Sequence, residues 1–382
     1  MLKTLERIIL KYLIQIVYVI SKIMPVKKRI VFATYRTLEL KDNFKFIYDE
    51  VKRQDLDYET KFLFKKLSPG IVGRLDYLLH LCEATYYLAT SQYFLIDDYY
   101  YPVYVVKLRK GTEVTQVWHA CGAFKKFGYS VIDKEYGADN NYIKYVSIHT
   151  NYSHVLVSSK EVVRHYAEAF NMDEKNILPI GIPRTDIFFD NVALQSAKRK
   201  LYELYPILKN KKLVLYAPTF RGASQHEANM SVPFNIQKVL SAIGEDAVLG
   251  FKMHPFVKDL PNLDAYENAV DLSTYGEVNE ILLLADILIT DYSSLVFEFS
   301  LLERPMIFYA DDLERYESER DFYYKYEELV PGPIVSTTDE LVQVLQKDEY
   351  DRGRIKAFEH KFFDETDGLA SKRFVDTVIL KK

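Results

Sequence analysis

Short apolar runs alternate with amphipathic runs along almost the whole chain, and this alternation limits the fold more than any other feature. "RIVFATY", "YETKFLF", "YFLIDD", "TQVWHA", "HVLVSS" and "NILPIG" read as strands, with helical runs such as "NFKFIYDEVKRQ", "RLDYLLHLCEATYYLAT" and "KEVVRHYAEAF" among them. Strands separated by helical runs form parallel sheets with crossover helices. The pattern breaks at the polar, proline-containing "SAKRKLYELYPILKNKK" and then restarts with "KLVLYAPTF", "AVLGFKMHP", "ADILITDYSS", "RPMIFYA" and "GPIVSTT". A chain of 382 residues suits two such cores. The expected fold is α/β, with two doubly wound parallel-sheet domains facing across a cleft. The expected boundaries are residues 1–24 for an N-terminal helix, 25–207 for the first domain and 208–382 for the second. The closing "ASKRFVDTVILKK" is an amphipathic helix that can pack back on the first domain.

Charge narrows the function. The net charge is −4, yet residues 1–30 carry seven basic residues against Glu6 alone, a local net of +6. A nucleic-acid binder usually spreads its positive charge over the fold, so nucleic acid is not expected as a partner. Here the charge surrounds "IILKYLIQIVYVISKIM". Lys11, Gln15 and Lys22 interrupt that run, which argues against a spanning helix, and no small-residue cleavage site follows it. The expectation is an amphipathic helix lying on an anionic membrane surface and ended by Pro25. The alternative is a helix packed on the protein itself or on a partner. Cys82 and Cys121 are far apart and define no disulfide framework or zinc ribbon.

In doubly wound sheets, ligands bind at the carboxyl ends of the strands. "TQVWHA" ends at Trp118 and His119. "KLVLYAPTF" brings Thr219 and then Arg221, and "AVLGFKMHP" ends with Lys252, His254 and Pro255. "ADILITDYSS" ends with Asp291, Ser293 and Ser294 just before a helix. Any one of these can be structural, but several polar strand ends on one edge point to a site. The "TDYSS" turn presents backbone N–H groups at a helix start, which suits phosphate. Ser293 and Ser294 add hydroxyls, or simply cap the helix. Glu298 lies one turn further among apolar neighbours and is the candidate partner of a ribose. No Walker A loop or GxGxxG fingerprint occurs. Asp97 and Asp98 have the wrong spacing for a metal-binding DxD, so neither metal nor cofactor is expected.

These motifs together resemble the CDP-glycerol glycerophosphotransferase family of teichoic-acid synthesis, which includes primases and the glycerol- and ribitol-phosphate polymerases. The resemblance runs from "KKRIVFATY" to about Pro333 and is most specific from Ala285 to Pro333. It implies a GT-B-like catalytic region, peripheral attachment to the cytoplasmic face of the cell membrane, and transfer of a polyol phosphate from a CDP-polyol. The family's tryptophan-histidine motif falls on Trp118 and His119, and its second histidine motif on His254 after Lys252. Its Thr–aromatic–Arg motif falls on Thr219 and Arg221, and its phosphate turn on Asp291, Ser293 and Ser294. Ala120, Cys121 and Gly122 stand where many relatives have Gly-Thr-Pro. Glu298 replaces a frequent aspartate, and Asp321 a frequent glycine.

In the mechanism this implies, a hydroxyl of a lipid-linked polyol-phosphate or disaccharide acceptor attacks the β-phosphorus and CMP leaves. A histidine takes the hydroxyl proton. His119 is the expected base, with His254 the alternative. Lys252, His254, Arg221 and the turn at Ser293 and Ser294 are expected to hold the diphosphate. Lys125 and Lys126 are expected to meet acceptor phosphates. The residues do not distinguish glycerol from ribitol or primase from polymerase, and leave the oligomeric state open, a homo-oligomer included. A GT-B glycosyltransferase using a nucleotide sugar is the rival enzyme, and a non-catalytic scaffold of the same fold is the rival outside catalysis.

Overall fold

The computed structural model of the chain describes residues 2–132, 134, 137, 140–221, 231–254, 256–257 and 260–382; Pro255 lies outside them. Two compact units emerge. Unit 1 comprises Met1–Ala120, Lys126–Asp186 and Leu369–Lys382, and unit 2 comprises Cys121–Lys125 and Ile187–Gly368. The division after Asp186 comes earlier than the expected turn near residue 207. The physical reason is that the helix Asn191–Leu204 packs on the helix Val278–Leu284, with Lys200 Nζ 2.7 Å from Glu280.

Unit 1 is built on a six-stranded parallel sheet. Its strands are β1 (Lys27–Thr34), β2 (Glu59–Phe64), β3 (Ser91–Ile96), β4 (Glu113–Gln116), β5 (His154–Leu156) and β6 (Ile177–Leu178), in the order β2-β1-β3-β4-β5-β6. The central strand β1 is an almost unbroken apolar run from Ile30 to Ala33, fully buried, as a strand covered on both faces requires. The expected strand "TQVWHA" stops at Gln116, so Trp118 and His119 sit in the loop beyond it. The chain's final residues belong to this unit. Asp186 accepts hydrogen bonds from the N–H groups of Ala370 (2.8 Å) and Ser371 (2.9 Å), and Tyr93 donates to the carbonyl of Ile379 (3.0 Å).

The same unit carries three of the longer helices, α1 (Leu2–Ser21), α2 (Asp42–Arg53) and α3 (Gly70–Thr90). α1 packs along α3, burying Ile14, Tyr18 and Ser21 at helical spacing. Its opposite side exposes Ile9, Tyr12, Ile16, Val19 and Ile20. α1 is therefore apolar on two faces, which differs from the expectation of one apolar and one basic face. Several expected headgroup-binding cations are used within the unit. Arg29 is buried and paired with Glu59 at 2.9 Å, Lys11 donates to the carbonyl of Tyr145 at 2.9 Å, and Arg7 stacks on the Tyr142 ring. No described helix is long and apolar enough to cross a membrane.

Unit 2 repeats the plan with β7 (Lys212–Tyr216), β8 (Ala247–Phe251), β9 (Ala269–Asp271), β10 (Ala285–Thr290), β11 (Met306–Tyr309) and β12 (Ile334–Val335). Their order is β12-β11-β10-β7-β8-β9, all parallel. β9 is a short edge strand whose partly buried sequence carries no strong apolar run. In both sheets the strand order reverses beside the first strand, at β1/β3 and at β7/β10. Crossovers there leave in opposite directions and free the carboxyl edge for a ligand.

Candidate active site

The reversal point of unit 2 gathers several of the expected residues. Directly after β10 comes Asp291, whose buried carboxylate accepts the N–H of Thr219 (2.8 Å) and Nη1 of Arg221 (2.9 Å), both from the segment after β7. Arg221 also donates to the carbonyl of Thr219 (2.6 Å) and grips Asp312 through Nε (2.8 Å) and Nη2 (3.0 Å). Four of its five N–H groups are thus engaged inside the cluster, and its side chain is only 15% exposed. The Arg221 guanidinium lies over the rings of Tyr292 and Tyr316, each 5.1 Å away. Tyr292 donates to Asp312 (2.9 Å), and Tyr326 donates to the carbonyl of Asp291 (3.0 Å). Asp312, Tyr316 and Tyr326 lie inside the stretch that carries the most specific resemblance, yet strand-end logic passes over them because Asp312 caps a helix and the tyrosines lie within helices.

Above this base the turn Tyr292–Ser294 leads into the helix Leu295–Ser300, a single short element. Ser293 Oγ accepts the N–H of Leu295 (3.3 Å), while Ser294 occupies the N-cap without a side-chain cap bond. Glu298, expected to face a ribose, is fully buried (0% exposed) between Phe297 and Phe299. Its carboxylate is inaccessible in this arrangement, because the short helix turns that face into the core. Thr219 Oγ1 is buried and has no hydrogen-bond partner among the described residues.

At the end of β8, Lys252 is buried and donates to the carbonyls of Ser273 (2.8 Å) and Tyr275 (2.9 Å). His254 is held between Phe220 and Phe256, with ring centroids 4.7 and 4.6 Å away. Its Nδ1 accepts the backbone N–H of Phe256 at 3.2 Å. A neutral His254 therefore carries its proton on Nε2 and presents a donor.

The stretch "QVWHACGAFKKFG" is divided between the units. Cys121–Lys125 belongs to unit 2, where Phe124 packs on Phe297, Phe322 and Tyr326 and its carbonyl accepts the N–H of Tyr323 at 3.0 Å. Gly122 has φ +62°, and a Cβ there would lie 2.3 Å from the Phe297 ring. Gly128, in unit 1, has φ +58° with the carbonyl oxygen of Ala169 2.1 Å from a would-be Cβ. Each glycine permits one close approach in its own unit. Lys125 lies 5.2 Å above the Tyr316 ring and makes no hydrogen bond among the described residues. Burial lowers its pKa to about 8, with Arg221 acting in the same sense and Asp291 opposing. Lys125 falls in unit 2 and the next residue, Lys126, in unit 1.

In unit 1, Trp118 and His119 follow β4. Trp118 has φ +51°, a left-handed conformation that costs a bulky residue of order 1 kcal/mol. Its N–H donates to Gln116 Oε1 (3.0 Å), and Asn43 on α2 donates to its carbonyl (3.0 Å). Its ring stacks on His119 and Phe127 at 4.3 and 5.2 Å. These contacts over-determine the strained turn and aim the histidine. His119 Nδ1 lies 3.1 Å from the backbone carbonyl of Asp97. A carbonyl only accepts, so Nδ1 carries the proton and Nε2 keeps its lone pair. Burial, reinforced by Arg36, lowers the His119 pKa to about 4, against the opposing charge of Asp98. The ring is neutral at pH 7 and able to take a proton. Asn43, Arg36, Asp97 and Asp98 were not read as site residues from the sequence. The acidic pair was the visible signal, weighed there only as a metal site.

The chain is similar to several known proteins. A teichoic acid ribitol-phosphate primase of Bacillus spizizenii (strain ATCC 23059 / NRRL B-14472 / W23) is 43% identical over 94% of this chain and 93% of its own length. A teichoic acid poly(ribitol-phosphate) polymerase of the same strain is 40% identical over 95% of this chain, which spans 58% of that protein. The solved wall teichoic acid polymerase TagF superposes with a TM-score of 0.78 at 25% identity, covering 99% of this chain and 96% of that one. The family model of CDP-glycerol:poly(glycerophosphate) glycerophosphotransferase matches residues 16–380, and the chain belongs to that family.

Proposed function

We propose that the chain transfers ribitol phosphate from CDP-ribitol to a hydroxyl of a lipid-linked acceptor at the cytoplasmic face of the membrane, releasing CMP. The observation that carries the chemistry is the opposite kind of partner at Nδ1 of the two histidines, a carbonyl for His119 and a backbone N–H for His254. His119 offers a lone pair at Nε2, and His254 offers a proton at Nε2. The acceptor oxygen attacks the β-phosphorus, the bond to CMP breaks, and the hydroxyl proton passes to His119. His254 donates to a diphosphate oxygen and supports the departing charge. Lys125 adds a cation with donors to spare. Thr219, Ser293 and Ser294 add hydroxyl and backbone donors. Lys252 and Arg221 act chiefly through the turns they brace, since most of their donors are already committed.

The choice of ribitol rests on the ribitol-phosphate enzymes among the relatives, which include the two named above. The membrane reading rests on unit 1. α1 and α3 pack on each other, and α3 also exposes Ile71 (85%), Val72 (82%), Leu75 and Leu79. Exposed apolar residues on both helices fit the acyl boundary of a membrane. The experiment is incubation with CDP-ribitol or CDP-glycerol, each with a lipid-linked acceptor, followed by nucleotide analysis. CMP release dependent on CDP-ribitol is expected. Release from CDP-glycerol alone overturns the choice of polyol, and turnover of a UDP-sugar with neither CDP donor active supports the glycosyltransferase instead.

A further inference from the structure

The reversal point of the unit 1 sheet carries charges that the transfer reaction as described does not use. Arg36 follows β1, its N–H donating to Thr34 Oγ1 at 3.0 Å, and Asp97 and Asp98 follow β3 directly. One oxygen, Oδ2 of Asp98, lies 3.8 Å from His119 Nδ1 and 3.8 Å from Arg36 Nε. The other, Oδ1, accepts the N–H of Tyr99 at 2.7 Å, which fixes the carboxylate. A guanidinium and a neutral imidazole thus face one anchored carboxylate. We propose that Arg36 and Asp98 set the proton affinity of His119 in opposite senses, making them positioning residues for the base. The proposal rests on the reading of His119 as that base.

The physical case is direct. A carboxylate beside an imidazole favours the imidazolium, and a guanidinium beside it disfavours it. When His119 takes the acceptor proton, Asp98 stabilises the product of that step. Burial keeps the resting ring neutral, and Arg36, 3.8 Å from the same oxygen, acts in the same sense. The other groups facing this ring and its carboxylate are accounted for. Arg184, from the turn Pro183–Phe189, acts on His119 in the same sense as Arg36. Asp97 is buried, with Asp42 acting on it from α2. His149, behind Trp118 at 6.2 Å, feels the same Asp98. The side chains of Arg36, Asp98 and His119 are 38%, 37% and 31% exposed, so screening by water limits the coupling.

The test uses the full chain with labelled histidine, the His119 resonance being assigned by its loss in His119→Gln. Arg36→Gln is expected to raise the titration midpoint of His119 by roughly half to one pH unit. Asp98→Asn, which is isosteric, is expected to lower it by a similar amount, and the double variant to return near wild type. Thermal melting confirms that each variant is folded. Midpoints that stay put, or move in the same direction in both variants, overturn the proposal. Opposite movements establish it, and the acid limb of kcat then tests the catalytic reading separately. A limb that tracks the midpoints supports His119 as the base. A limb that ignores them leaves the tuning intact and removes His119 from that role.

Discussion

Unit 1 and unit 2 carry the same kind of sheet, with the same reversal beside the first strand, but they treat polar groups there differently. At the unit 2 reversal, Asp291, Arg221 and Asp312 satisfy one another almost completely, and Lys252 is tied to two carbonyls. At the unit 1 reversal, the groups are left in tension. Trp118 is held in a left-handed turn, a buried oxygen of Asp97 has no hydrogen-bond partner among the described residues, and His119 is kept neutral by burial. A saturated network is rigid and suits a fixed anion cradle, whereas displaced proton affinities suit proton transfer. On the proposed reading, unit 1 supplies the proton transfer and unit 2 holds the donor.

The sharpest way to break this contrast is His119→Ala. Turnover should fall by at least ~10²-fold while calorimetric affinity for the CDP donor stays close to wild type. Retention of more than about a tenth of the wild-type rate is incompatible with general-base catalysis by this residue.

Arg221→Ala probes the saturated side. Removing the guanidinium strands Asp291 and Asp312 together, so unfolding free energy should drop by about 3 kcal/mol in denaturant titrations. Donor affinity should weaken as well, since the turn loses its brace. A variant that is as stable as wild type but binds poorly would mean that Arg221 is a direct phosphate ligand rather than a brace.

The pH behaviour of the two sides should also differ. The His119 pKa is lowered, so its base function is present at neutral pH and is lost only as pH falls toward about 4. The acid limb of kcat should therefore lie well below the ordinary imidazole value of about 6.5. Lys125 is lowered to about 8, so its charge is present below that pH and lost above it. Donor affinity should weaken several-fold between about pH 7.5 and 9.5, and Lys125→Met should flatten that dependence while binding less tightly throughout. An unchanged slope in the variant removes Lys125 from the donor site.

The smallest effect concerns the apolar face of unit 1. Ile71→Asp and Ile16→Asp should each reduce sedimentation with anionic liposomes a few-fold without altering turnover of a short soluble acceptor. Salt should release wild-type protein only partly, because Arg29, Lys11 and Arg7 are engaged inside the unit and apolar burial carries more of the binding. Equal sedimentation of both variants and wild type would make this face a packing or partner surface.

Much of this protein was legible from local pattern. The alternation of strand and helix runs determined two parallel sheets, and the rule of strand ends picked out His119, His254, Thr219, Arg221, Lys252 and Asp291, because side-chain periodicity and strand polarity are local properties. The motif series from Trp118 to the tyrosine-rich stretch before Pro333 determined the family. Other properties depended on partners remote in sequence. The proton on His119 is placed by the carbonyl of Asp97, just after the neighbouring strand β3. Arg221 and Lys252 are committed by Asp312 and by the Ser273–Tyr275 turn. Glu298 is buried because its helix is short and faces the core, and α1 keeps a second apolar face because α3 covers only one. Sequence alone specifies which groups reach an edge. Their protonation, saturation and exposure are set by which distant groups the tertiary structure brings within hydrogen-bonding distance.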